Sequence, residues 1–323
     1  MRVLITGCAG FIGSHLAERL VGDGWHVTGI DALTSYYDPA EKRANLAVLG
    51  NEPRFDFVRA DIVSAPLTKL LADRPLVVHF AAQPGVRRSF GDGFDQYVHD
   101  NILATQRLLE AAAEADCPRV VYASSSSVYG EAATFPCREE STPTRPRSPY
   151  GVTKRTCEKL AEIYRGLGLS TVGLRFFTVY GPRQRPDMAI RRLCETAAGG
   201  PAFRLNGDGS QSRDFTYVDD AVDATVRALT AAQPARVLNI GGGEEASMNE
   251  LIELLGSLAG EPIVLRRGGS QIGDVQRTGA DTTLARQQLG WEPSVRLADG
   301  LRATLDWVFE HRAAGVRVVA AAS

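Results

Sequence analysis

Short apolar runs alternate with helical patterns through the first half of the chain. The runs are rich in β-branched residues and end at glycine or polar residues, as strands buried on both faces of a parallel sheet do. Strands are predicted at residues 2–6, 25–30, 55–59, 76–80, 119–123 and 171–176. Because helix and strand alternate, the pattern predicts an α/β fold with a doubly wound parallel sheet and helices on both faces.

The pattern becomes less regular after about residue 180. One more strand is predicted at 237–240, amphipathic helices are predicted at about 248–259 and 297–311, and 207–214 is predicted as a loop. We therefore predict a domain over residues 1–180 and a smaller, mixed α/β lobe over 181–323, with 219–242 returning to the first domain. Arg191 and Arg192 are predicted to lie on an exposed helix.

A glycine-rich turn links the first predicted strand to the first helix. Glycines let the backbone approach a diphosphate at the helix N-terminus, and an acid about 20 residues further on can bind an adenosine ribose. Asp31 ends the second strand, 18 residues after Gly13, and no arginine follows it at once to receive a 2′-phosphate. This order of strand, glycine turn, helix, strand and acid predicts a Rossmann-type domain that binds NAD rather than NADP. The turn supplies the predicted cofactor contacts Gly7, Gly10, Phe11, Ile12 and Gly13.

Further polar and small residues follow the other predicted strands. Ligands bind at the carboxyl ends of the strands in such sheets, so these residues should meet along one edge. Asp61 and Ile62 are placed to reach the adenine, and the small side chains of 81–83 would let a cofactor pass. The predicted contacts of this group are Asp61, Ile62, Ala81, Ala82 and Gln83. The fifth strand opens into four serines at 124–127, beside the same edge.

Tyr150 and Lys154 open the next predicted helix and lie one turn apart on one face. Free tyrosine has a pKa of about 10, and a nearby ammonium stabilises the phenolate form. The pair is therefore predicted to be a catalytic acid/base beside the cofactor, and both residues are also predicted to contact it. Such a spacing also occurs on solvated helices, but the glycine loop and the serine run favour catalysis.

Composition narrows the class of protein. The 323 residues are 44% hydrophobic and 23% charged, and the net charge of -2 gives no basic field for nucleic acid. The five cysteines form no close pair, so reduced thiols in a cytoplasmic protein are expected, without disulfides or a metal site. No apolar run reaches the length of a membrane span, so no membrane partner is expected.

Several stretches together resemble the extended short-chain dehydrogenase/reductase family of nucleotide-sugar epimerases and dehydratases. The stretches are TGCAGFIG, RADI, HFAAQ, SSSSVYG, YGVTK, RFFTVYGPR and GDGSQSRDFTYVDD. The resemblance covers almost the whole chain. It implies an NAD-dependent enzyme and a homodimer formed through helices near 95–115 and 150–167. It also implies that the 181–323 lobe binds the nucleotide sugar, that Lys154 binds the nicotinamide ribose, and that Ser125 is the third catalytic residue.

Two stretches, DALTSYYDPAEKR at 31–43 and RFFTVYGPRQRPDMA at 175–189, most resemble the UDP-glucuronate 4-epimerases. In that subfamily Thr178 and Arg185 would face the sugar carboxylate, Arg213 the diphosphate and Asp274 a ribose, and Arg87 would also bind the substrate. The sequence departs from the pattern at 84, 88 and 183–184. These departures bear on how the sugar fits rather than on the reaction type.

The serine run bears on the type of reaction. A 4,6-dehydratase needs an additional acid/base pair after the catalytic hydroxyl, and decarboxylating relatives commonly carry a glutamate there. Ser126 and Ser127 occupy those places, and they are predicted to bind the substrate instead. The resemblance therefore implies a 4-epimerase, an isomerase, that interconverts UDP-glucuronate and UDP-galacturonate. The alternatives are a UDP-glucose 4-epimerase, a decarboxylase or dehydratase, and an inactive NAD-binding protein.

Overall fold

A computed structural model of the chain describes residues 1–269 and 273–313; the last part of the predicted 181–323 lobe lies outside these ranges. The strands, in chain order, are β1 (Arg2–Thr6), β2 (His26–Asp31), β3 (Phe55–Arg59), β4 (Leu76–His79), β5 (Val120–Ser125), β6 (Thr171–Phe176), β7 (Thr178–Tyr180), β8 (Phe203–Asn206), β9 (Ser212–Tyr217), β10 (Val237–Ile240), β11 (Glu244–Ser247) and β12 (Leu265–Gly268). The α-helices are α1 (Phe11–Gly22), α2 (Pro39–Ala47), α3 (Leu67–Leu70), α4 (Phe94–Tyr97), α5 (Ala104–Glu114), α6 (Pro149–Gly166), α7 (Ala189–Ala197), α8 (Val218–Thr230), α9 (Met248–Ala259), α10 (Thr283–Leu289) and α11 (Leu297–Ala313).

Seven strands form one parallel sheet in the order β10-β6-β5-β4-β1-β2-β3. The predicted strands all belong to it, and the late strand β10 pairs with β6. Between α4 and α5 the helix continues through a π-helical turn at Val98–Leu103. The doubly wound α/β fold predicted from the alternation is confirmed.

The side chains of β1 explain why the sheet is covered on both faces. Val3 and Ile5 pack into the cluster that contains residues of α1 and α8, whereas Leu4 packs into the cluster formed by α5 and α6. Alternate residues of a strand point to opposite faces, so an unbroken apolar strand needs a helix layer on each side. The carboxyl ends of the strands are left open to form a cleft between the layers.

The second half of the chain adds two small sheets beside the large one. β11, β9 and β7 form a mixed three-stranded sheet, and β12 pairs with β8. β9 begins at Ser212, inside the segment predicted as a loop. β7 belongs to the small sheet although it lies within residues 1–180, so the proposed division of the chain into 1–180 and 181–323 stays a prediction.

Arg191 corrects the expectation that α7 is exposed. Its side chain is 1% exposed, bonds to Glu195 at 2.5 Å and lies 4.7 Å from the centre of the Trp307 ring on α11. Arg191 also donates from its Nη1 to the carbonyl of Gln184 at 3.2 Å. Exposure was predicted because Arg191 is charged. The structure instead buries its guanidinium, which Glu195 neutralises and which holds the loop before α7 through Gln184. Arg192 is half-buried over Phe203.

The described helices include none that is both long and apolar enough to span a membrane.

His79, at the end of β4, is fully buried and makes hydrogen bonds to Thr6 at 2.8 Å and Thr105 at 3.0 Å. Burial and, to a smaller extent, the charge of the nearby Lys154 lower the pKa of His79 to about 3. The unfolded chain binds a proton near pH 6.5, so stability is fully present above that pH and is lost as the pH falls towards 3. We expect unfolding in urea to show this loss, up to about 1.4 kcal/mol per pH unit.

The contribution of His79 can be isolated by substitution. His79→Gln should flatten the part of the pH dependence that lies between about pH 6.5 and 5. His26→Gln, at an exposed position of β2, is the matched control and should leave the slope as it is in the parent protein. A slope that survives His79→Gln would refute the assignment.

Candidate active site

A cleft of about 430 Å³ opens at the carboxyl edge of the large sheet. It brings together all the residues predicted to bind the cofactor, the three predicted catalytic residues and five of the predicted substrate contacts, with Ser125 belonging to both of the last two groups. The predicted residues that line it are Gly7, Gly10, Phe11, Ile12, Gly13, Asp31, Asp61, Ile62, Ala81, Ala82, Gln83, Ser125, Ser126, Ser127, Tyr150, Lys154, Thr178 and Arg185. Their roles in binding and catalysis remain predictions, and the geometry below is what supports them.

The glycine turn has no room for side chains. A Cβ on Gly7 would lie 2.6 Å from the Ala81 amide nitrogen, and one on Gly13 would overlap the Gly7 carbonyl oxygen. Gly7 also has a φ of 73°, in the left-handed region. The N-cap of α1 is Gly10, which makes no side-chain cap, so the first N–H groups of the helix face the cleft uncapped. This is the arrangement that binds a diphosphate.

Gly13→Ala is expected to abolish tight NAD binding, because the new methyl group would push apart the turn that holds the diphosphate. The measurement is the NAD content of the purified protein and its NAD affinity by calorimetry. Gly22→Ala is the matched control on the same helix, since nothing lies within 4 Å of a Cβ there. Gly22→Ala should bind NAD normally, and its free energy of unfolding should be about 0.5–1 kcal/mol higher than that of the parent protein. Equal NAD affinity in both variants would contradict the proposed role of the turn.

Asp31 connects the glycine turn to the end of β2. Its carboxylate accepts hydrogen bonds from the Leu33 N–H at 2.8 Å and the Ala9 N–H at 3.2 Å. These bonds hold the acid at the cleft wall, where a ribose would lie beside the diphosphate. Asp61 lies further along the edge, 3.9 Å from His99. Hydrogen bonding to Asp100 raises the pKa of His99.

The predicted catalytic pair lies on α6 against the end of β5. Lys154 is 6% exposed, its Nζ donates to the Ala123 carbonyl at 3.0 Å, and it lies 6.0 Å from the centre of the Tyr150 ring. This bond fixes the ammonium but uses only one of its three N–H groups. Ser125 accepts from the Ser127 N–H at 3.1 Å, so its own O–H can donate to a substrate oxygen.

A buried ionic network continues from the serine run into the protein. Glu158 lies one turn after Lys154 and accepts from Ser124 Oγ at 2.6 Å. Arg175 donates to both Glu158 oxygens, at 2.8 and 3.0 Å, and to the Tyr129 hydroxyl at 2.8 Å. The Tyr129 hydroxyl in turn donates to Asn239 at 2.7 Å. The network therefore joins α6, β5, β6 and β10 directly behind the catalytic residues.

A second cavity of about 180 Å³ adjoins the first and shares Ser126, Ser127 and Thr178 with it. Arg213 and Asp274 line this cavity. Arg87, in contrast, lines neither cavity and makes a salt bridge of 2.9 Å to Asp274. The predicted substrate residues therefore form a continuous set. It runs from the serines and threonine that both cavities share to the charged residues of the second cavity, Arg213 and Asp274.

Arg185 lies in the wall of the first cavity, but it already has an anionic partner. Its Nε and Nη2 donate to the Asp187 carboxylate at 3.0 and 3.2 Å. Asp187 also accepts from the Tyr36 hydroxyl at 3.1 Å, and the guanidinium carbons of Arg185 and Arg88 lie 5.9 and 4.8 Å from the centre of the Tyr36 ring. The prediction placed Arg185 in the cleft but missed that its charge is paired.

Some cleft residues were missed by sequence reasoning. Tyr36, Tyr37 and Lys42 line the cavity, and Tyr97 packs edge-on against Tyr150 at 6.2 Å. Lys42 is 7% exposed and donates to Thr34, both to its carbonyl and to its hydroxyl, at 3.0 Å. Tyr36 and Lys42 belong to the stretch 31–43, whose sequence indicated the subfamily. Aromatic and basic residues that follow a strand end were the signal that could have predicted their place in the cleft.

Three comparisons with known proteins place the chain in a family. The NAD dependent epimerase/dehydratase family matches residues 3–241. The chain is 43% identical to the "uncharacterized UDP-glucose epimerase YtcB" of Bacillus subtilis, over 93% of this chain and 96% of the relative. It is 41% identical to the UDP-glucuronic acid 4-epimerase of Bacillus cereus, solved with UDP-glucuronic acid and NAD. That structure matches with a TM-score of 0.92, over 96% of this chain and 99% of the other.

A third relative, MoeE5, is 40% identical with a TM-score of 0.85, over 97% of this chain and all of the other, and was solved with NAD and either UDP-glucuronic acid or UDP-glucose. These matches confirm the resemblance and the predicted dependence on NAD. Most of the chain is covered by the family match and nearly all of it by these relatives. The chain belongs to the NAD dependent epimerase/dehydratase family.

Proposed function

We propose that the protein is an NAD-dependent 4-epimerase, an isomerase, that interconverts UDP-glucuronate and UDP-galacturonate through a 4-keto sugar. One observation carries the proposal: Tyr150, Lys154 and Ser125 line the same cleft as the glycine turn, and Thr178 and Arg185 line it as well. The cleft thus combines a proton-transfer site, an NAD site and a place for a sugar with a charged substituent. The UDP-glucuronic acid 4-epimerase of Bacillus cereus, 41% identical, supports this substrate.

In this mechanism the Tyr150 phenolate, which the Lys154 ammonium stabilises, removes the proton from the sugar 4-hydroxyl and becomes a neutral phenol. Ser125 donates its O–H to the same sugar oxygen and holds it in line with Tyr150. When bound, NAD supplies the redox chemistry by accepting and returning one hydride at C4. The keto sugar turns over between the two transfers and presents the opposite face of C4 to the returning hydride, while Tyr150 returns its proton to the oxygen on C4. Oxidant and proton are restored in each turnover.

The residues after Ser125 favour epimerisation over elimination. Ser126 and Ser127 line both cavities and carry hydroxyls where a dehydratase would need carboxylates. Hydroxyls are not ionised near neutral pH and cannot remove a proton from C5. Together with Thr178 they offer hydrogen bonds to the substituent at C5, which would hold a carboxylate without adding a base. We propose that this is why the keto intermediate keeps its carboxylate.

The test is turnover of UDP-glucuronate by the purified protein, followed by NMR of the anomeric proton. We expect UDP-galacturonate to accumulate to equilibrium without release of CO2 and without lasting absorbance at 340 nm. Release of CO2 would instead identify a decarboxylase. Failure to form UDP-galacturonate, with the protein folded and loaded with NAD, would overturn the proposal.

Two further properties accompany this function. We propose a homodimer through the helices near 95–115 and 150–167, where Ile163 on α6 and Leu167 just after it are 60% and 75% exposed. Light scattering of the parent protein and of Ile163→Glu tests it, with a dimer expected only for the parent. We also propose a cytoplasmic location, because all five cysteines are free and buried. Fractionation of cells that express the native protein tests the location.

A further inference from the structure

The loops that follow β2 and β4 touch each other across the carboxyl end of β1. In the sheet β1 lies between these two strands, so their ends are about 10 Å apart. The glycine turn begins at the end of β1 and is the place proposed for the cofactor diphosphate. A contact between the two outer loops therefore spans the diphosphate site.

Tyr36, from the loop after β2, and Arg88, from the loop after β4, make this contact. The guanidinium carbon of Arg88 lies 4.8 Å from the centre of the Tyr36 ring, and its Nη1 donates to the Tyr36 carbonyl at 3.4 Å. Gly85, in the same loop as Arg88, leaves room for the ring, since a Cβ there would lie 2.7 Å from the Tyr36 hydroxyl oxygen. The Tyr36 side chain is thus held against the loop after β4.

The two partners of the contact are placed differently with respect to the cleft. Tyr36 and Gly85 line the same cavity as the glycine turn, whereas Arg88 is not among the residues that line it. Tyr36 therefore faces the cofactor site, and Arg88 holds Tyr36 from outside. Position 88 is also one of those at which the sequence departs from the subfamily pattern, so the contact is a feature of this chain.

We infer that Tyr36 and Arg88 form a clasp that closes over the bound cofactor and slows its exchange with the solution. This inference deepens the proposed function, because an epimerase that reduces its cofactor in the first half of a turnover needs the same cofactor for the second half. Loss of the cofactor between the two hydride transfers would leave the sugar as a ketone. Arg88 acts through Tyr36 and is a positioning residue.

A clasp has a kinetic signature that a direct contact to the cofactor lacks. The contact joins two protein groups and uses no atom of the cofactor. Breaking it therefore lowers the barrier to entry and to exit alike, and the Kd for NAD hardly changes. Loss of a direct contact would instead speed exit alone and raise the Kd by the same factor.

The experiment compares NAD release from the parent protein and from Arg88→Gln. Protein loaded with NAD that carries carbon-14 in its adenine is mixed with excess unlabelled NAD, and desalting at intervals gives the label still bound. Loss of one cation–π contact and one hydrogen bond should speed release by about five- to thirtyfold. The Kd, measured by calorimetry on protein freed of NAD, should stay within about threefold of the parent's.

Two other variants isolate the contact. Arg302→Gln removes an exposed arginine of α11 and should match the parent in release rate. Tyr36→Leu should release NAD as fast as Arg88→Gln, and adding Arg88→Gln to it should change the rate by less than about threefold, because the ring is gone. Arg88→Gln leaves the hydrogen bond from Tyr36 to Asp187 in place, so that bond does not contribute to the difference.

The outcomes separate the clasp from other roles. An unchanged release rate in Arg88→Gln would overturn the inference, and so would faster release with a Kd raised in proportion. A full effect of Arg88→Gln in the Tyr36→Leu background would also overturn it. Urea unfolding of each variant, expected to match the parent, shows that the protein remains folded. No step requires sugar turnover, so a protein inactive on UDP-glucuronate would overturn the proposed function and leave the clasp standing.

Discussion

Tyr150→Phe should lower kcat for epimerisation by about a thousandfold or more, while the protein stays folded and keeps its NAD. Removing one hydroxyl deletes the group that exchanges a proton with the sugar, and general acid–base catalysis contributes about 10²–10⁴-fold. The ring itself remains to pack against Tyr97. The measurement is the initial rate of UDP-galacturonate formation, with absorbance at 340 nm to show that no reduced cofactor accumulates.

Tyr97 provides a matched control, because it is the neighbouring tyrosine in the site. Its hydroxyl donates to the Pro84 and Gly85 carbonyls at 2.9 and 2.7 Å, and burial raises the pKa of Tyr97 to about 12. It is therefore occupied and unsuited to act as a base near neutral pH. Tyr97→Phe should cost less than about tenfold in kcat. A larger loss in Tyr97→Phe than in Tyr150→Phe would reverse the two assignments.

Glu158→Gln is expected to lower the free energy of unfolding by about 3–5 kcal/mol, the usual cost of breaking a buried ion pair. The substitution leaves the Arg175 guanidinium, 2% exposed, without its anion. Burial alone would raise the pKa of Glu158, but the hydrogen bonds and the charge of Arg175, with further hydrogen bonds from Ser124 and Arg155, outweigh that effect and lower it. The native carboxylate is thus held ionised, and urea unfolding at neutral pH measures the cost of leaving Arg175 without its partner.

Glu162→Gln is the control, one turn further along α6. Glu162 is 44% exposed and pairs with Lys159 and Arg236 at the surface, so its loss should change the unfolding free energy by less than about 1 kcal/mol. Similar losses for both variants would argue against the network. We also expect kcat to fall in Glu158→Gln while KM changes little, because Glu158 and Lys154 together hold α6 against β5.

The sheet could be predicted closely because its strands are buried on both faces. The apolar runs are therefore continuous, and the predicted bounds differ from the observed ones by no more than two residues. The small strands escaped prediction for the opposite reason. β12 is mostly exposed and contains Arg266 and Arg267, and it pairs with β8, some sixty residues earlier in the chain. Such a strand leaves no periodic signal in its own sequence.

Much of the candidate site could also be predicted from the parallel sheet. Ligand residues at the carboxyl ends of parallel strands must meet at one edge, so strand order alone brought Asp31, Asp61 and the serine run together. Contacts between loops in the site could not be predicted in this way. Tyr36 contacts Asp187 because two loops far apart in the chain come together, and no local sequence pattern encodes that. Glu158 was predictable, since it continues the four-residue spacing of Tyr150 and Lys154 on one helix face.

The position of β10 also constrains how the chain can be made. β6 pairs with β5 on one side and with β10 on the other, and β10 emerges from the ribosome well after β6. Every residue of β6 is buried in the finished protein, so a nascent chain that ends before Val237 displays an apolar strand with unpaired backbone groups. Such edges recruit other chains. Nascent chains that stall between Phe176 and Val237 should therefore depend on chaperones far more than chains that extend past Ile240.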